Sequence, residues 1–262
     1  MSEMLDALAV QARVVFAFIL RDMHTRFGRS RLGYLWALFE PLTMILSLAL
    51  IFGLMGRGAP INVDIHLFFF TGIIPWLLFA RAVGTISNAI ESSASLLSYP
   101  QVKAIDVIIA RIILDFVTIF IVCLIYLAAL YFAGILDRIE SILMSIIVMM
   151  LSLLLGAGLG LVGGVIKLYL PGYSSFQGLL LRVLFFISGV YFVMDSLPPL
   201  LRDSLWYNPV THLIEWERSV FFYGFESQFY DPFYPIIWIL CLGFLGLAGE
   251  RVTRSKLRQL GI

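Results

Sequence analysis

"FGRSRLGYLWALFEPL", residues 27–42, sets Arg29 and Arg31 among glycines at the mouth of an apolar run that continues to Met55, with Arg26 one position ahead. Positive charge crowded against a long greasy stretch raises the question of what solvent that stretch enters. Composition answers it: 61% of the 262 residues are hydrophobic and 13% charged, with a mean hydropathy of +0.97, whereas soluble domains use about 45–50% apolar and about 25% charged residues. Only a polytopic membrane protein fits. In lipid no separate aqueous core is needed, so residues 1–262 are read as one membrane domain. Cys123 and Cys241 both fall in apolar stretches and read as packing residues, not as a disulfide or a metal site.

A helix crosses about 30 Å of hydrocarbon with about 20 mostly apolar residues. Stretches of that kind run over 34–55, 66–88, 107–133, 141–166, 176–194 and 233–249. The expected fold is therefore an all-α integral membrane protein with six transmembrane helices. The earlier apolar run 14–20 is too short to cross and sits among Arg13, Arg21, Asp22 and Arg26. It reads as part of an amphipathic helix within residues 1–33, lying in the interface with Leu5, Leu8, Val15, Phe18 and Ile19 toward lipid. A signal peptide fits less well, because Glu3 and Asp6 spoil the positive start.

Charge placement sets the orientation. Arg13, Arg21, Arg26, Arg29 and Arg31 precede the first span, Arg251, Arg254, Lys256 and Arg258 lie in the basic tail 250–262, and Lys103, Arg111 and Lys167 mark the loops of the same face. The opposite loops carry Arg57, Arg138, Arg202 and Arg218 over a longer length. By the positive-inside rule both termini are expected in the cytoplasm. Two connections stand out from the otherwise short loops of the 34–249 span region. Residues 91–106, "ESSASLLSYPQVKAID", form a polar cytoplasmic segment with an amphipathic centre, broken at Pro100 and followed by a helix that Asp106 is expected to cap. Residues 196–232 form a long outer loop, helical in period over 210–222 and rich in aromatics. It reads as a re-entrant or interfacial helical hairpin before the last span, with a mobile polar loop as the lesser alternative.

The chain has no Walker-type phosphate loop, no His-Glu-x-x-His and no Gly-x-Ser-x-Gly, so neither a catalytic residue nor a metal ligand is assigned. Gly158-Leu-Gly160-Leu-Val-Gly163 spells the dinucleotide fingerprint, but it lies mid-span with no strand before it. Gly156, Gly160 and Gly164 instead recur at every fourth position, a small-residue stripe for close helix packing. The charges within the spans, Glu40, Arg81, Asp115 and Arg182, all fall near the expected cytoplasmic ends. A proton- or sodium-coupled carrier would place ionisable groups at the midplane, so the energy source is expected elsewhere.

The strings "RDMHTRFGRSRLGYLWALFEPL", "YPQVKAIDVIIAR" and "WYNPVTHLIEWER", together with the six-span layout, resemble the permease of ABC transporters that export capsular polysaccharide in Gram-negative bacteria. The resemblance covers nearly the whole chain. It implies a homodimer in the inner membrane, two copies of a separate cytoplasmic ATPase that carries ATP and Mg, and a lipid-linked acidic polysaccharide as cargo. It also implies a periplasmic co-polymerase and an outer-membrane export protein as partners, and no nucleic acid. No cofactor is expected on this chain. In such a permease, 91–106 is the coupling segment, with Glu91, Leu96, Leu97, Tyr99 and Pro100 toward the ATPase. Arg26, Arg29 and Arg31 would meet lipid headgroups and the anionic cargo, each contributing on the order of 1 kcal/mol. Tyr34, Trp36, Phe39, Trp76 and Phe79 could stack sugars along a pore, although packing or interfacial anchoring is the commoner role of such residues.

The alternatives are a permease for O-antigen or a teichoic-acid type glycan, an enzyme acting on lipid-linked sugars, and a passive channel or scaffold. An enzyme would need clustered carboxylates or histidines. Glu215 and Glu217 are the nearest such pair and, two apart on a helix, they point to different faces.

Overall fold

The computed structural model describes residues 2–27, 33–92, 103–170 and 172–259. Within them the regular structure is helical: α1 (Ser2–Phe27), α2 (Gly33–Leu54), α3 (Ile65–Ser87), the single turn α4 (Ala89–Ser92), α5 (Ala104–Phe132), α6 (Ile142–Tyr169), α7 (Tyr173–Ile187), α8 (Pro199–Leu205), α9 (Pro209–Phe221) and α10 (Phe233–Gln259). Helices α3, α5, α6 and the Phe233–Thr253 part of α10 are long and apolar enough to cross a membrane. The described apolar part of α2, Leu38–Leu54, and α7 are shorter.

Local chemistry sets the helix ends. Asp64 caps α3 by accepting the His66 N–H at 2.8 Å, and Asn208 caps α9 by accepting the Val210 N–H at 3.0 Å, with Pro209 at the first helical position. Gly134 closes α5 at φ 72°, where a side chain would be strained. Asp106 does not cap α5 from outside, as the sequence suggested. The helix starts at Ala104, and Asp106 reaches back from its first turn to accept the Lys103 N–H at 3.0 Å.

Helix α3 is the axis of the bundle. Every residue from Leu67 through Phe79 is buried, as expected of a helix that is apolar on all sides. The glycine stripe of α6 lies directly on it. A Cβ at Gly156 would collide with the Phe79 carbonyl oxygen, one at Gly160 would sit 2.9 Å from the Val83 oxygen, and one at Gly164 would sit 3.0 Å from the Ser87 oxygen. The other face of α6 takes α10 in the same manner: a Cβ at Gly246 would come within 2.5 Å of Leu161 Cβ. Association in lipid gains little from burying apolar surface, so close backbone approach and the dispersion contacts it permits hold these helices together.

Two expectations change. Val15 and Phe18 do not face lipid: they are buried in a small cluster with Ala89, Val107 and Ala110, with Ile19 packed against it. Among the described side chains of α1, the large apolar ones that face outward are Val10, Phe16, Leu20 and Met23. The side chains of Leu5 and Leu8 lie outside the described residues. The fifth apolar run, expected over 176–194, is helical only to Ile187. There Ser188 Oγ donates back to the Leu184 carbonyl at 2.6 Å, and Gly189 turns at φ 87°.

The seam between α3 and α6 yields a test. Gly156→Val should lower the melting temperature of the detergent-solubilised protein, overpacking of this kind costing roughly 1–3 kcal/mol. Gly243→Ala, where an added Cβ meets nothing within 4 Å, should leave it unchanged. A thermal ramp read by size-exclusion chromatography compares the two.

Candidate functional site

Polar side chains gather at two ends of the apolar bundle. The first group forms around α9, against the N-terminal part of α3. The chain between Gly189 and Ser196 is not α-helical, and its backbone groups need partners. Arg218 supplies two, donating to the Phe192 carbonyl at 2.8 Å and the Val190 carbonyl at 3.3 Å. Glu215 accepts the Met194 N–H at 3.1 Å and pairs with Arg218 at 3.3 Å. Both side chains are fully buried, and the guanidinium lies 4.2 Å over the Phe68 ring. Gly72 makes room for it, since a Cβ there would stand 3.0 Å from Arg218 Nη2.

Glu217 points elsewhere, accepting from Ser145 Oγ on α6. The sequence places Arg218 among the charges of the outer loops and 210–222 in a re-entrant or interfacial helical hairpin. It correctly separated the faces of Glu215 and Glu217, but α9 is enclosed on nearly every side, so both carboxyls are buried. The only available signal was Glu-x-Glu-Arg inside an otherwise apolar, Asn-Pro-capped helix.

The second group lies thirteen residues further along α3, about 20 Å away. Arg111 of α5, also read as a loop charge from sequence, is buried and donates to three elements. Its Nε bonds Asp22 of α1 at 3.2 Å, Nη1 the Thr85 carbonyl of α3 at 2.5 Å, and Nη2 the Ser92 hydroxyl of α4 at 2.7 Å. Thr85 Oγ1 donates to Asp115, one turn on from Arg111, at 2.7 Å. Arg21 flanks Asp22 at 2.8 Å, and Gln11 of α1 donates to Asp106 at 2.9 Å. Glu40 and Arg81 pair at 3.6 Å.

Several sequence candidates fall outside this description: Arg29, Arg31, Leu96, Leu97, Tyr99 and Pro100 entirely, and the side chains of Arg26, Tyr34, Trp36 and Glu91. Phe39 is exposed, as a pore or lipid contact requires. Trp76 and Phe79 are not: they are buried against each other at 5.5 Å, and Trp76 also meets Phe185 at 5.4 Å. Their faces serve packing in this conformation, because α3 is the central helix. Among the described residues no group of His, Cys, Asp and Glu could hold a metal ion.

Comparison with known proteins adds what geometry alone does not specify. Residues 13–222 match the family model for the ABC-2 type transporter. The polysialic acid transport protein KpsM of Escherichia coli is 34% identical over 248 residues, covering 94% of this chain and 95% of that protein. The capsule polysaccharide export inner-membrane protein CtrC of Neisseria meningitidis serogroup B is 28% identical over 243 residues, 93% of this chain and 92% of its own. The O-antigen export system permease protein RfbA of Klebsiella pneumoniae is 21% identical over 228 residues, 87% of each.

The pair inside α9 can be tested directly. Glu215→Ala should destabilise the detergent-solubilised protein by about 3–5 kcal/mol, because it leaves the buried Arg218 cation uncompensated. Glu217→Gln keeps the side-chain shape and an oxygen that can accept from Ser145 Oγ, so it should be nearly silent in the same thermal ramp.

Proposed function

The chain belongs to the ABC-2 type transporter family, and from that membership we propose that it is the membrane permease subunit of an ATP-driven exporter moving lipid-linked capsular polysaccharide across the inner membrane. The observation that carries the substrate is the similarity, over 94% of the chain, to a polysialic acid transport protein. The O-antigen permease, at 21% identity, makes the other lipid-linked glycans the weaker reading. The chain is a transport subunit. ATP and Mg are bound by a separate cytoplasmic ATPase, present in two copies beside a homodimer of this chain, with a periplasmic co-polymerase and an outer-membrane export protein completing the route.

The topology proposed has six crossings with both termini in the cytoplasm. Helix α7, at 15 residues, measures about 22 Å, short of the hydrocarbon thickness. It nevertheless runs from Gln177, which donates to the Val83 carbonyl at 3.2 Å, toward Val190, whose backbone lies against Gly72. That path follows most of α3, which supports reading α7 plus the following non-helical stretch as the fifth crossing. Helices α8 and α9 then form the re-entrant hairpin of 196–232. The single domain divides into the interfacial segment 1–33, the membrane region 34–249 and the basic tail 250–262. The long exposed apolar face of α7, including Phe176, Leu179, Val183 and Phe186, is in keeping with cover by lipid or the second copy.

A permease without an ATP site receives force through a cytoplasmic surface. Residues 91–106 are proposed as that surface, with Leu96, Leu97 and Tyr99 as apolar anchors that fill a groove on the ATPase, flanked by Glu91 and Pro100. Arg26, Arg29 and Arg31 are proposed to guide the anionic cargo and its lipid terminus into the permease, with Tyr34, Trp36 and Phe39 offering sugar-stacking faces.

Alanine at both Leu97 and Tyr99 should leave the protein inserted and thermally stable but lower ATPase affinity by about five- to several-hundredfold, the range for losing a packed interface anchor. Co-purification of the ATPase at wild-type strength would refute the coupling assignment. Replacing Arg26, Arg29 and Arg31 together with glutamine should reduce capsule at the cell surface without altering insertion, since Arg13, Arg21 and the tail still orient the chain. Normal capsule from correctly inserted protein would reduce those arginines to topology signals.

A further inference from the structure

The arrangement around Arg111 does more than close a helix contact. Its three nitrogens each donate to a different element: to Asp22 on α1, the Thr85 carbonyl at the end of α3, and Ser92, the last residue of α4. Where the chain re-enters α5, a second tie forms, because Asp106 holds the Lys103 N–H at 3.0 Å and accepts from Gln11 at 2.9 Å. Both flanks of the connection between α4 and α5 are thus fastened to one helix, α1, at positions eleven residues and about 16 Å apart. Between the two ties, Val15 and Phe18 pack on Ala89, Val107 and Ala110. The block then continues into the bundle: Thr85 is also held by Asp115, and Ser87, two residues on, is where Gly164 of α6 meets α3.

A buried ion pair is poor glue, since apolar residues of similar volume often serve stability as well or better. The guanidinium fork is suited instead to holding several acceptors in fixed relative positions, which an ammonium on a flexible stem does not reproduce. We infer that Arg111 is a positioning residue for transport: it joins α1, the end of α3 and the flanks of the α4–α5 connection into one mechanical body, so that displacement of that connection is passed to the central helix. Helix α1 is then a working part of energy coupling as well as an interfacial anchor. The inference rests on the proposal that residues 91–106 meet the ATPase.

The test uses the complete transporter, permease with its ATPase in lipid vesicles, and reads three quantities: ATPase co-purification, ATP hydrolysis, and lipid-linked capsular polysaccharide delivered across the bilayer per ATP hydrolysed. Arg111→Gln should bind the ATPase and hydrolyse ATP as the wild type does, yet deliver about tenfold less polysaccharide per ATP, the size of a typical coupling between sites. Arg111→Lys should recover only part of that loss. Ser92→Ala removes one arm of the fork at an exposed residue, so it should lower the same ratio several-fold with an unchanged melting temperature.

A wild-type ratio in Ser92→Ala would overturn the inference, including the case where Arg111→Gln loses export only in proportion to lost folded protein. Failure here is separable from failure of the coupling reading. If alanine at Leu97 and Tyr99 abolishes ATPase binding while Arg111→Gln and Ser92→Ala export normally, the Arg111 relay alone is wrong. If the Leu97 and Tyr99 variant keeps its ATPase, the coupling segment is wrong and the relay falls with it.

Discussion

A backbone amide or carbonyl buried away from water must find its hydrogen-bond partner inside the protein. Helices meet that demand for most of this chain. The stretch after Gly189 does not, and the buried Arg218 and Glu215 stand in for the missing helical bonds by taking the Val190 and Phe192 carbonyls and the Met194 amide. Much else follows from this arrangement. Helix α9 must be enclosed to keep the pair dry, α3 must carry glycine at position 72 to admit the guanidinium, and α7 can stop at Ile187 without leaving its successor unsatisfied.

The apolar middle and the polar ends are joined by backbone proximity. Gly156, Gly160 and Gly164 bring α6 onto α3 so closely that even a methyl group would collide or press on backbone oxygens. Such a seam is stiff, because packed interiors shift between arrangements and do not deform continuously. A bundle with one polar assembly at each end of a rigid central helix is suited to passing a displacement from the Arg111 end toward the Arg218 end.

What could be read from the sequence followed the range of the physics involved. The spans at 66–88 and 141–166 differ from Ile65–Ser87 and Ile142–Tyr169 by no more than three residues at either end, because local hydropathy alone determines them. The glycine spacing pointed to close helix packing for the same reason. Features that depend on distant partners could not be read. Arg111 looked like a loop charge because Asp22 lies 89 residues away in sequence. Val15 and Phe18 were turned toward lipid because apolar periodicity fixes a face without naming what covers it. Trp76 and Phe79 were offered to a pore because nothing local reveals that α3 is central. The joint role of Glu215 and Arg218 could not be read because their backbone partners at Met194, Phe192 and Val190 lie 21 to 28 residues away in sequence.

The proposed role of this chain, powered by a separate ATPase, is to carry a lipid-linked capsular glycan outward. The most direct measurement is transport by inverted inner-membrane vesicles containing the chain and its ATPase, given lipid-linked capsular polysaccharide on the outside. ATP should drive the glycan into the lumen, where a capsule-degrading glycosidase no longer reaches it, and vesicles lacking this chain should leave it fully digestible. Protection that is independent of ATP, or that persists without the chain, would rule that role out.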